Sequence, residues 1–343
     1  MKPHVLVARL DNAGDVLLAG PAIRAVAATS RRVTMLCGPR GETAAGLLPG
    51  VDDIVVYDAP WVAFDPKPLE AEETLALVNE LGALELDQAI IFTSFHQSPL
   101  PLALLLRMAG VPFVAATSVD YPGSLLDIRR RISDDVHEVE RALDLVESAG
   151  YRLPPGDDGN LAVERTGERP PQLGDWSFMV VHPGASVPAR AWAPERYTAL
   201  VDALVAEGRR AVLTGGPHER ELTARVAGPP RPEVLDLGGQ LDLAHLAEVI
   251  SGADAIVVGN TGPAHLAAAV GTPVVSLFAP TVPVVRWRPW RVPHVLLYRE
   301  VPCAGCRARV CPVGGHPCLN GVSVEEVVSA VAHLAPLEVG ATR

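Results

Sequence analysis

The chain has 343 residues, 48% hydrophobic and 20% charged, enough for two domains with sizeable packed cores. Its formal charge of −11 disfavours a general affinity for nucleic acid or anionic lipid, because both reward a positive face. No stretch approaches the roughly 20 apolar residues that span a bilayer, and Arg9 interrupts the short N-terminal apolar run, so a cytoplasmic protein is expected, at most peripheral at the inner face of a membrane.

In chain order, the first apolar run predicts a strand over 4–10 and a helix from about Asp15. Strands follow near 33–37, 54–57, 88–92 and 112–115, with helical patterns at 70–81, 100–108 and 134–149. The segment 151–175 carries PPGDDG and ERPPQ, is polar and has little periodicity, so it reads as a linker. A second series begins with a strand over 178–182 and continues with strands near 211–214, 255–258 and 274–278. Its helices are predicted at 194–207, 218–227, 243–251 and 263–270. The 32 prolines and 30 glycines punctuate these elements as turns and form no low-complexity tract. Continuous apolar strands alternating with helices argue for parallel sheets covered on both faces, hence an α/β chain of two doubly wound, Rossmann-like domains. The expected limits are 1–165 and 176–322, with a helix within 323–335 packing back toward the first domain. Ligands of this class bind in the cleft at the carboxyl ends of the strands.

Five segments carry candidate chemistry. Arg9-Leu10-Asp11-Asn12-Ala13-Gly14-Asp15 closes the first strand and opens the first helix. Gly14 would permit a tight turn close to a ligand. By position Asp15 reads first as a helix cap; the helix dipole also favours a negative charge there, which suits a base. HPGAS, with Ser186, Arg190 and Trp192 downstream, offers N–H and O–H donors and a forked cation for an anion. TGGPHE, containing Gly215 and Glu219, ends a strand in two glycines; a tight turn with Glu219 facing the dipole is an equal reading. GNTGPAHL is the most informative. The N–H groups of Thr261 and Gly262, the Thr261 hydroxyl and His265 would surround a diphosphate at a helix N-terminus, beside Asn260.

The fifth is Cys303-x2-Cys306-x4-Cys311-x6-Cys318, four of the chain's five cysteines. In a cytosolic chain disulfides are disfavoured and metal binding, such as a structural zinc, gains weight, although the spacing is not that of a standard two-by-two zinc knuckle; His316 is a substitute ligand, and reduced thiols lining a compact loop are a comparable reading. Cys37 reads as a core thiol. Arg286, Arg288 and Arg291 interleave with Trp287 and Trp290, either as a binding patch or as solvated arginines over tryptophans. No GxGxxG follows the first strand of either half, which disfavours a nicotinamide-dependent oxidoreductase.

Together LDNAGDVLLAGPAIRAV, VVHPGAS…ARAWAPERY, TGGPHE and GNTGPAHLAAAVGTPVVSLFAPT resemble glycosyltransferase family 9, the bacterial heptosyltransferase family. FTSFHQSPLPLALLLRMAGV and CAGCRARVCPVGGHPC fit it too. The resemblance implies the GT-B fold, an acceptor-binding first domain and a donor-binding second domain. It implies inverting transfer of a heptose from ADP-heptose to an acceptor hydroxyl, with no cofactor required for catalysis. The acceptor would be a lipid-linked or other glycan, or a small metabolite. Carried over by motif, Asp15 is the base, with Arg9, Asp11, Asn12 and Gly14 on the acceptor side. Arg190 contacts the donor phosphates, Glu219 the ribose, Leu241 the base, and Thr261, Gly262 and His265 the diphosphate. Where the familiar heptosyltransferases carry Asp before Thr-Gly this chain has Asn260, which removes a charge near the nucleotide; Pro263 and Ala264 also depart from the usual form. A different nucleotide sugar, a sugar-nucleotide epimerase on the same architecture and a metal-bearing scaffold protein are the rival readings.

Overall fold

A computed structural model describes residues 1–63, 65–94 and 97–337. Phe95 and His96 of the FTSFHQ segment lie outside the described residues. The chain divides into two compact units, Met1–Glu164 and Arg165–Arg343.

The first unit runs β1 (His4–Arg9), α1 (Ala13–Leu18), α2 (Gly20–Ala27), β2 (Arg32–Cys37), α3 (Glu42–Ala45) and β3 (Asp53–Val56). It continues with α4 (Ala71–Ala83), β4 (Gln88–Ile91), α5 (Leu100–Met108), β5 (Val114–Thr117), β6 (Ile128–Arg130) and α6 (Glu138–Ser148). The six strands are all parallel, in the order β3-β2-β1-β4-β5-β6. Every residue of β1 is buried, as its unbroken apolar run requires when helices cover both faces.

The second unit runs β7 (Met179–His182), α7 (Pro194–Ala206), β8 (Ala211–Leu213), α8 (Arg220–Ala227), β9 (Val234–Asp236) and α9 (Leu243–Ser251). Then come β10 (Ala255–Gly259), α10 (Gly262–Val270), β11 (Val274–Leu277), α11 (Val284–Trp287), β12 (His294–Leu297), α12 (Pro317–Asn320) and α13 (Val324–Leu334). Its sheet is again six-stranded and parallel, ordered β12-β11-β10-β7-β8-β9. In each sheet the first and fourth strands lie side by side and the chain winds away from them in opposite directions. That pair is the switch point where loops leaving the carboxyl ends diverge and admit a ligand.

The helix at the end of the second series spends its apolar face inside the second unit: Val327, Ala330 and Val331 are buried in the core formed with Tyr197, Leu200, Val257 and Leu277. Strands β6, β9 and β12 escape the apolar pattern because each is a short edge strand whose residues are only half-buried.

Candidate functional site

In the first unit, β1 delivers Arg9 to the switch point and α1 begins four residues later. Asn12, not Asp15, is the N-cap; its backbone is extended and its side chain makes no capping bond. Asp15 is the third residue of α1. Gly14 is buried inside α1 and is not among the glycines with positive φ, so its conformational freedom is not exercised.

The loop gathers charge instead. Arg9 is only 4% exposed; its Nε lies 2.8 Å from Asp11 Oδ2 and an Nη lies 2.9 Å from Asp15 Oδ1. The same Nη lies 3.3 Å from Glu138 Oε2 at the start of α6. Gln97 Nε2 donates to Asp11 Oδ1. Burial raises the Asp11 carboxyl to about 6 against the pull of Arg9, and the Asp15 charge adds to the rise. Burial alone would weaken the Arg9 charge; the three carboxylates overrule it and hold the guanidinium above its ordinary value. Among those carboxylates Asp15 is the one presented outward, 15% exposed against 7% for Asp11 and 2% for Glu138.

Glu138 and Gln97 were not singled out from sequence. Glu138 stands 129 residues from Arg9, and an acidic residue opening a predicted helix is ordinarily credited to the helix dipole.

In the second unit, β7 is buried throughout and ends at His182. His182 Nδ1 lies 3.0 Å from Thr214 Oγ1 after β8, and Nε2 lies 4.0 Å from Glu219 Oε2. Burial lowers the imidazole's pKa and the Glu219 charge only opposes it, so the ring is neutral at pH 7. Glu219 accepts the Gly216 N–H at 2.7 Å. A Cβ on Gly184 would stand 2.1 to 2.4 Å from the Glu219 carboxylate atoms, so the glycine vacates the space that carboxylate fills. Glycine 215 is joined through its carbonyl to the Gly239 N–H at 2.8 Å, two residues before Leu241.

Arg190 ends a 3-10 turn, Pro188–Arg190, and its Nε donates to Thr281 Oγ1 at 3.1 Å. Where β10 runs out, a Cβ on Gly259 would lie 3.4 Å from the Arg190 carbonyl and 3.9 Å from the Thr261 methyl group. The Arg190 turn and the loop before α10 are thus in direct apposition. Thr261 is the N-cap of α10, with Gly262 at the first helical position and Pro263 at the second.

One expected donor drops out here. The Thr261 N–H is taken by the Gly259 carbonyl at 2.9 Å. What remains is the Gly262 N–H, which has no intrahelical acceptor at that position, and two side chains. The Thr261 hydroxyl and the Asn260 amide nitrogen are buried and have no hydrogen-bond partner among the described residues. His265 lies on the following turn of α10, 3% exposed. Ser186 is exposed.

Leu241 lines a separate pocket of about 270 Å³ with Leu237, Gln240 and His245 on one side and the linker residues 168–172 on the other. The linker is held there by Arg165, whose guanidinium lies 2.5 Å from Glu248 of α9, and by the Gly167 N–H, 2.9 Å from the same carboxylate. A larger groove of about 460 Å³ between β12 and α13 contains none of the predicted site residues.

Arg286 is 1% exposed, its guanidinium 4.9 Å from the Trp287 ring centroid, so it is not a solvated arginine; Arg291 lies at the same distance over Trp290. Cys303, Cys306, Cys311 and Cys318 line one cavity of about 10 Å³ together with His316. No three His, Cys, Asp or Glu side chains among the described residues are already gathered as metal ligands. No described helix is long and apolar enough to cross a membrane.

A family model, "Glycosyltransferase family 9 (heptosyltransferase)", matches residues 74–316. The chain is 29% identical over 247 residues to lipopolysaccharide heptosyltransferase 3 of Escherichia coli, an alignment covering 62% of this chain and 70% of that protein. Among solved structures, the glycosyltransferase family 9 protein of Veillonella parvula superposes with a TM-score of 0.78 at 18% identity, covering 97% of each chain. ADP-heptose lps heptosyltransferase II of E. coli does so with a TM-score of 0.73, also at 18% identity, over 98% of each. At that identity the structural likeness carries the GT-B fold and nothing finer.

Proposed function

This chain belongs to glycosyltransferase family 9 and is a glycosyltransferase, and from that premise we propose that it transfers a heptose from ADP-heptose to a hydroxyl of a lipopolysaccharide-type acceptor, with inversion. One observation carries the donor half of this reading. At the switch point of the second sheet, a buried hydroxyl (Thr261) and a buried amide nitrogen (Asn260) lack partners among the described residues, beside the Arg190 turn and the N-terminus of α10. Buried polar groups are normally satisfied, and a bound diphosphate supplies the missing acceptors.

On this reading Asp15 takes the proton of the acceptor hydroxyl. The resulting oxygen attacks the anomeric carbon on the face opposite the nucleotide, and the carbon–oxygen bond to the diphosphate breaks. Arg190, the Thr261 hydroxyl, the Gly262 N–H and the dipole of α10 take up the charge that appears on the departing diphosphate. These groups do the electrostatic work that a divalent cation does elsewhere, so leaving-group departure has no need of one. Glu219 reaches the ribose hydroxyls, and the pocket around Leu241 receives the base. The Gly216 N–H holds the Glu219 carboxylate, and the neutral His182 ring beside it does not compete for the phosphates. The family model and the relatives support the sugar transfer; the residue roles rest on the geometry above and on motif position.

A thermal-shift panel of nucleoside diphosphates and nucleotide sugars tests the reading. ADP at about a hundred times its Kd should stabilise the folded state by about 3 kcal/mol, a rise of roughly 5–10 °C for a unit of this size. ADP-heptose with a deep-rough lipopolysaccharide acceptor should then yield a heptosylated product. A shift with another nucleoside diphosphate and none with ADP refutes the proposed donor.

A second prediction concerns Gly184. In Gly184→Ala the new methyl meets the movable end of the Glu219 side chain, so the fold should survive while the carboxylate is displaced. ADP affinity measured by calorimetry should fall by about threefold to tenfold, the worth of about one ordinary hydrogen bond. In a Glu219→Ala background the same change should cost nothing more, because the group it displaces is gone.

A further inference from the structure

Glu138, the first residue of α6, is 2% exposed, whereas Glu140 in the same turn faces solvent. Glu140 serves the helix: its carboxylate accepts the His137 N–H at 3.3 Å and completes a capping box with the His137 ring. The helix therefore has its acidic partner without Glu138, and a carboxylate is not buried without compensation. That compensation is cationic. Glu138 Oε2 lies 3.3 Å from both Nη atoms of Arg9. Its Oε1 lies 3.5 Å from Arg141 Nε, and the same arginine donates to the carbonyls of Ile132 and Ser133.

The contact joins rigid parts. Arg9 ends β1, an inner strand buried along its whole length, and α6 packs against α2, which follows α1 directly. The guanidinium is held at one edge by Asp11, 2.8 Å from its Nε, and at the other by Glu138. The Nη that meets Glu138 also reaches Asp15 Oδ1, at 2.9 Å.

Charge is shared in the same way. Among the described residues two cations, Arg9 and Arg141, face three carboxylates, Asp11, Asp15 and Glu138, so one negative charge is in surplus. Burial raises the Asp11 carboxyl to about 6, and the charges of Asp15 and Glu138 add to the rise. A guanidinium given wholly to one carboxylate makes it a poor proton acceptor; one shared among three can fix its direction and leave it able to take a proton.

We propose that Glu138 is a positioning residue for sugar transfer: it holds the Arg9 guanidinium, and Arg9 in turn orients the Asp15 carboxylate. The inference rests on the reading of Asp15 as the base. Glu138 touches neither substrate; it acts only through Arg9.

Glu138→Gln keeps the size of the side chain and removes its charge. With ADP-heptose and a deep-rough lipopolysaccharide acceptor, both saturating, it should lower kcat by about tenfold to a hundredfold, the cost of misplacing a reacting group. ADP affinity by calorimetry should change by less than about twofold, the usual scatter for independent sites. In an Asp15→Asn background the same substitution should cost less than about twofold more, because the group it acts on is gone. Equal costs in the two backgrounds are the mark of a merely structural role, and that result, or wild-type kcat in Glu138→Gln, overturns the proposal. Near-normal kcat in Asp15→Asn alone is the separate failure of the base reading, and takes this proposal with it. A second readout needs no turnover. In protein labelled with carbon-13 at the aspartate carboxyls, Asp11 should titrate at about 6, and Glu138→Gln should move that titration down, since a neighbouring negative charge is lost. An unmoved Asp11 overturns the coupling through Arg9. If Glu138→Gln does not fold by circular dichroism, Arg9→Lys, which keeps the charge and loses the fork, should show the same split between kcat and ADP affinity and no further cost on Asp15→Asn; an additive cost there overturns the proposal.

Discussion

Arg190→Ala should weaken ADP binding by about one to two orders of magnitude, since hydrogen bonds to a charged group are worth about 1.5–3 kcal/mol and each 1.4 kcal/mol is tenfold. The size of the effect follows from how the side chain is held. Its Nε is anchored on Thr281, which orients the guanidinium plane, and its carbonyl backs onto the loop that begins α10. An oriented fork loses little rotamer entropy when it closes on a diphosphate. Arg190→Lys should recover only part of the loss, because a point charge cannot reproduce the paired bonds. Calorimetry with ADP and with adenosine separates the causes: the arginine should matter for the first and not the second. Equal affinity of wild type and Arg190→Ala for ADP would sink the phosphate assignment.

Asp15→Asn should lower kcat by about a hundredfold to ten-thousandfold with ADP affinity unchanged, the range for loss of a positioned general base. The structure adds a reason to choose Asp15 over its neighbours. Asp11 is buried against Arg9 and Gln97 with its carboxyl raised to about 6, and Glu138 is almost wholly enclosed. Asp15 shares the same arginine but remains the most accessible. Single-turnover kinetics with saturating donor would isolate the chemical step. If Asp15→Asn retains near-normal kcat and Asp11→Asn does not, the base is Asp11.

Much of the architecture was legible because a parallel sheet buries its strands on both faces and writes unbroken apolar runs. The buried strands β1, β7 and β10 were therefore visible, as were helices α5 and α9, whose limits match the periodicity. Edge strands such as β9, with three half-buried residues, leave no such trace. The glycine loops were legible too, since a strand ending in Gly-Gly or Gly-Asn-Thr-Gly has few other uses. What sequence does not encode locally is who meets whom. Glu138 reaches Arg9 and Thr281 reaches Arg190 across 129 and 91 residues, and no spacing rule connects them. The Thr261 N–H was misjudged for a related reason: it is spent on a backbone turn that residue types alone do not reveal.

The placement of α13 has a consequence for biosynthesis. Its buried face completes the core of the second unit against α7, a helix made more than a hundred residues earlier, and against the sheet strands β10, β11 and β12. The first unit is compact within residues 1–164 and is free to begin folding while the ribosome is still translating. The second unit cannot close until α13 has cleared the exit tunnel, and meanwhile the side chains it will cover, Val257 and Leu277 among them, face water. That waiting interval is when the nascent chain is most exposed to aggregation and to chaperones, and slower growth at low temperature should raise the yield of folded enzyme chiefly through this unit.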